Sequence, residues 1–105
     1  MPRPFRGRKI GYRQEVDFYK PAGVRLSCLT VTEIKIDEME AIRLVDMDGC
    51  DQKEAALQMN VSQSTIARLL ETGRRKIATA LVEGQAIAIR PGSAPLEFYR
   101  HKREE

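Results

Sequence analysis

The residues most able to do chemistry in this sequence stand close together: Gln63, Ser64, Thr65, Ala67 and Arg68. An amide, two hydroxyls, a methyl group and a guanidinium lack the matched base and nucleophile of a catalytic centre. They suit the reading of base edges. Arg pairs with guanine and Gln with adenine through paired hydrogen bonds, and a small residue such as Ala67 can meet a thymine methyl. To act together these groups must project from the open end of one helix.

The flanking sequence is written for such a helix. DQKEAALQMN (51–60) opens with Asp51 and Glu54 in the form of a capping box. Ala55, Ala56 and Met59 give it a narrow apolar side. Asn60 suits the left-handed conformation that ends a helix, Val61 turns inward, and Ser62 is a good N-cap for a second helix. That second segment carries Ile66, Leu69, Leu70, Ile77, Ala80 and Leu81 at helical spacing, with Ser64, Arg68, Glu71 and Arg75 opposite. Gly73 interrupts the apolar side at a cost of about 1 kcal/mol relative to Ala, which predicts close approach of another backbone. A short helix, a tight turn and a longer helix describe a helix-turn-helix, whose second helix lies in the major groove. The rival reading is a helical hairpin that only packs.

The remaining chain supplies support. Thr30–Ile36 alternates as a strand does, and Asp37 is expected to cap a helix with Glu40 at its third position. Met39, Ile42, Leu44, Val45 and Met47 would face inward before Asp48-Gly49 ends that helix. Ala86–Arg90 is a second candidate strand, pairing with residues 33–36 or with its copy in a partner subunit. PRPFRGRKIG, near the amino end, cannot be helical and reads as an extended basic arm that lies along phosphates or enters a minor groove. A solubilising tail and a segment packed on the domain are the alternatives. Tyr12–Tyr19 reads as extended and Lys20-Pro21-Ala22-Gly23 as a turn. The expected fold is mainly α: a three-helix core containing a helix-turn-helix, with short β segments before and after it. Residues 1–29 form the arm and an extended segment, 30–92 the domain, and 93–105 a charged tail.

One domain is all that 105 residues allow. The net charge of +3 hides a sorting along the chain. Residues 3–20 and 68–76 are basic, whereas residues 33–54 are rich in carboxylates, an arrangement that would orient the molecule on a polyanion. No apolar run approaches the roughly 20 residues of a membrane span, and no secretory segment is present, so a cytoplasmic location is expected. Cys28 and Cys50 are isolated and His101 is the sole histidine, which leaves no ligand spacing for a metal. No serine-hydrolase elbow, phosphate-binding loop or paired metal-binding histidines are present, so no enzyme is expected.

Several fragments carry a family likeness. FYKPAGV, DEMEAIRLVDMDG, QKEAALQMNVSQSTIARLL and RRKIATALVEGQAIAI occur in order over residues 2 to about 92. They resemble uncharacterised protein family 0251, small prokaryotic proteins thought to bind DNA, whose helix-turn-helix is similar to region 4 of sigma factors. By that resemblance the base- and phosphate-contacting positions are Gln63, Ser64, Thr65, Ala67 and Arg68. Relatives tend to carry a basic residue where Gln63 stands and Ala where Gly73 stands. Some also carry a domain for an iron–molybdenum-type cofactor, but this chain stops soon after AIAIR. The resemblance therefore implies no cofactor here.

The expectation is a sequence-specific reader of double-stranded DNA, a transcriptional regulator acting as a homodimer on two half-sites. Arg74, Arg75, Lys76, Arg3, Arg6, Arg8 and Lys9 would meet phosphates, and the carboxy-terminal strand would join the subunits. Two other readings are a module that docks on transcription machinery and a nonspecific nucleic-acid binder driven by the basic arm.

Overall fold

Helix starts in this protein fall where a side chain can take up the free amides of a first turn. The computed structural model describes residues 7–99. In chain order these hold β1 (Arg8–Ile10), β2 (Phe18–Tyr19), a short 3-10 turn at Leu26–Cys28, β3 (Val31–Lys35) and α1 (Ile36–Ile42). Next come α2 (Gln52–Met59), α3 (Gln63–Glu83), β4 (Ala86–Arg90) and β5 (Leu96–Phe98). The Asp51 carboxylate accepts the Glu54 amide at 2.8 Å, and Ser62 Oγ accepts that of Thr65 at 3.1 Å. Asn60 ends α2 at φ 60°, ψ 46°, a left-handed conformation that Asn tolerates. The turn between the two helices is therefore as short as the sequence indicated.

The start of α1 differs from expectation. β3 runs directly into the helix, Lys35 occupies the capping position, and the Glu38 carboxylate accepts the Lys35 amide at 2.9 Å. Asp37 and Glu40 lie within the helix and are fully buried. The register moved because both carboxylates have distant partners: Arg8 donates to Asp37, and Arg43 with the Gly11 amide to Glu40. Beyond Ile42 the helix widens into a π turn over Arg43–Met47, and Met47, expected inside, is exposed.

The fold is mixed α/β rather than mainly α. β4 lies between β2, to which it is antiparallel, and β3, to which it is parallel. Parallel neighbours need a long crossover, and the three helices supply it. β1 and β5 form a separate parallel pair, with Arg8 opposite Leu96 and Ile10 opposite Phe98. Leu96–Phe98 thus belong to a strand within the expected tail, and Arg8–Ile10 to a strand within the expected arm. Both edges of β4 are occupied, so it cannot join subunits by pairing with its copy. These strands of two to three residues were too short for alternation to reveal.

The core gathers Ile10, Ala41, Leu44, Ala55, Ala56, Met59, Ile66, Leu69 and Leu70 from β1 and all three helices. Gly73 is where α1 crosses α3. A Cβ added there would lie 2.9 Å from Ile42 Cδ1 and 3.2 Å from Glu38 Cβ. Leu81, expected on the inner side of α3, is 73% exposed because the last turns pass the edge of the packed helices. Among the described residues no helix is long and apolar enough to cross a membrane.

Candidate nucleic-acid interface

The amino end of α3 is open. Gln63, Ser64, Ala67 and Arg68 are exposed and Thr65 is half-buried, while Ile66, Leu69 and Leu70 anchor the opposite side in the core. The Ser62 hydroxyl lies 3.1 Å from Ser64 Oγ and 2.9 Å from Thr65 Oγ1, so these three hydroxyls share one small network. Arg68 makes no ion pair among the described residues. The five residues singled out as base-reading therefore occupy one end of one helix, against solvent. A row of amide, hydroxyl, methyl and guanidinium groups there can enter a groove and donate or accept at base edges.

The cations assigned to phosphates fare differently. Lys76 Nζ donates to both oxygens of the buried Glu38, at 2.9 and 3.1 Å, and Thr72 donates its hydroxyl to the same carboxylate. Arg74 forms a two-pronged pair with Asp46, Nε to Oδ2 at 3.0 Å and Nη2 to Oδ1 at 2.7 Å. Arg75 stands 3.6 Å from Glu71 on the open face. Arg8 is paired with Asp37, and Lys9 sits half-buried in β1. Arg3 and Arg6 lie outside the described residues. Charges sorted along the sequence are thus largely cancelled in space, where the acids of α1 and its π turn neutralise Arg8, Arg74 and Lys76. Sequence reasoning missed Asp46 and Glu38 as partners because 28 and 38 residues separate each pair. No local spacing announces such contacts.

Burial pushes the Glu38 carboxyl up, but Thr72, the Lys35 amide and Lys76 outweigh it and leave it below its usual 4.5. A carboxyl depressed in the folded state stabilises the fold above its unfolded value and loses that contribution as pH falls through the folded one. Glu38→Gln should therefore cost about 1–2 kcal/mol at neutral pH. The gap from wild type should close as urea unfolding is repeated below pH 4.5. A gap that stayed constant with pH would remove charge from this account.

Cys28 is exposed and Cys50 half-buried. Among the described residues no group of His, Cys, Asp and Glu side chains could hold a metal ion.

Comparison with known proteins places this arrangement in a family. A UPF0251 protein of Dehalococcoides mccartyi is 46% identical over 92 residues, covering 88% of this chain and 79% of that protein. A UPF0251 protein of Caldanaerobacter subterraneus is 42% identical over 93 residues, covering 89% and 79%. One from Pelotomaculum thermopropionicum is 38% identical over 99 residues, covering 94% and 75%. No solved structure matches the chain. The family model described as protein of unknown function DUF134 matches residues 1–96. The chain belongs to this family, UPF0251, of uncharacterised proteins.

Proposed function

We propose that this protein is a sequence-specific binder of double-stranded DNA and acts as a cytoplasmic transcriptional regulator, laying the amino end of α3 in the major groove. The observation that carries the reading is the solvent-facing set Gln63, Ser64, Ala67 and Arg68, held by a buried opposite side and preceded by the short turn at Asn60–Ser62. Arg68 and Gln63 offer paired hydrogen bonds to guanine and adenine, and Ser64 and Thr65 reach base edges or the adjacent phosphate. One such helix supplies modest affinity, so the binding form is taken to be a homodimer on two half-sites about one helical turn apart.

Selection of bound sequences from a random duplex pool tests this directly. The expected result is an enriched motif with two related halves, bound more tightly than random duplex at every salt concentration. Recovery of no motif, with selected and random duplexes weakening alike in salt, would reduce the protein to a charge-driven binder. Absence of binding to any duplex would leave a protein-docking role for the same face.

A further inference from the structure

The three cations near the middle of α3 differ in how easily each can be lent to a nucleic acid. Lys76 cannot be withdrawn cheaply, because its partner Glu38 is 1% exposed and would be left as an uncompensated buried charge. Arg75 has only a weak, exposed pairing at 3.6 Å. Arg74 is the intermediate case. Its pair with Asp46 has good two-pronged geometry, yet both side chains are close to half exposed, at 48% and 41%, so parting them buries nothing.

Position gives this difference a consequence. At about 100° per residue, Arg74 shares the flank of α3 that carries Gln63 and Ala67. It lies two helical turns beyond Ala67, about 10 Å along the axis. The major groove is only about 12 Å wide, so a helix seated by residues 63–68 must pass the sugar-phosphate ridge near Arg74. A phosphate presents the same paired oxygens to a guanidinium as a carboxylate does.

We propose that Asp46 is an internal stand-in for a DNA phosphate, holding Arg74 in the free protein and limiting its sequence-independent affinity for the duplex. This rests on the DNA-binding reading above. On binding, a backbone phosphate takes the Arg74 fork and Asp46 is left beside it, so each encounter must overcome one internal pair and one like-charge approach. Asp46 thereby restrains phosphate binding without touching base recognition at the amino end of α3.

The test is a double-mutant cycle on the full chain, using Asp46→Asn, Arg74→Ala and the double variant. Affinity for a selected duplex and for a random duplex of equal length is measured between about 50 and 200 mM salt. Asp46→Asn should bind both duplexes more tightly, about 5- to 10-fold at low salt, with a slope steeper by about 1. The ratio between the two duplexes should not change. In the Arg74→Ala background the same substitution should do nothing. An unchanged affinity for Asp46→Asn, or a gain that persists without Arg74, overturns the proposal. Wild-type protein that prefers its selected duplex while Asp46→Asn has no effect sinks this inference alone. Wild-type protein that binds no duplex sinks both.

Discussion

Arg43→Ala will lower the stability of this protein by about 3–5 kcal/mol, the usual cost of removing one partner from a buried ion pair. The Arg43 guanidinium grips Glu40 with two prongs, Nε to Oε1 at 2.8 Å and Nη2 to Oε2 at 2.9 Å. Its Nη1 reaches Asp48 at 3.0 Å, and the group lies 5.5 Å from the centre of the Tyr12 ring. Hydrogen bonding to Glu40 accordingly raises the pKa of Arg43 beyond its already high value. Glu40 is fully buried, and its only other described partner is the Gly11 amide at 2.9 Å. Without the guanidinium a carboxylate would sit in the core beside Leu44 and Ile10 with one donor. A small domain has only about 5–15 kcal/mol to lose, so a third or more of the total is at stake. Arg43→Lys should fall between, because an ammonium cannot reproduce the fork. Replacing both partners by Leu should recover most of the loss, since no buried charge then remains. Urea unfolding reads all of this through a shifted midpoint at constant slope. A cost below about 1 kcal/mol for Arg43→Ala would mean that water reaches Glu40.

That buried pair also marks where the sequence stopped being legible. The helix-turn-helix could be read because its signals are local. Asp51 and Ser62 cap helices within three residues of the amides they accept, Asn60 takes the left-handed turn alone, and Ile66, Leu69 and Leu70 repeat with the helix. Gly73 could be read too, since a glycine on an apolar stripe has a steric reason, and Glu38 and Ile42 supply it. The acids of α1 could not. Asp37, Glu38 and Glu40 look like capping groups or a solvated face, and only the fold brings Arg8, Lys76 and the Gly11 amide to them. The same blindness covered β1 and β5. Their pairing joins residues 8–10 to 96–98, too far apart and too short for any periodic pattern. It also misplaced the charges. Basic and acidic stretches separated along the chain meet across α1 and α3, so the phosphate-facing set is smaller than composition implied. What survives of the candidate site is the part fixed by one helix and its cap.

Arg68→Ala therefore carries the largest expected effect on binding, about 1–3 kcal/mol or roughly 5- to 150-fold, on the proposed reading of α3. Arg68 is exposed, unpaired among the described residues, and in line with Ser64 on the open face. Alanine is at least as good a helix former, so the fold should be untouched and any loss belongs to the interface. If the guanidinium forks onto a guanine, the loss will be confined to duplexes that keep that base. Selection with the variant will then return a motif relaxed at one position per half-site. If it meets a phosphate instead, every duplex will weaken alike and the salt slope will fall by about 1. The two outcomes are separable because Arg74, the other cation the interface can recruit, is held by Asp46 and Arg68 is not. Base-specific loss at Arg68 with sequence-independent gain at Asp46→Asn would divide α3 into a reading end and an anchoring middle. Uniform loss at Arg68 would leave Gln63, Ser64 and Ala67 to account for any motif.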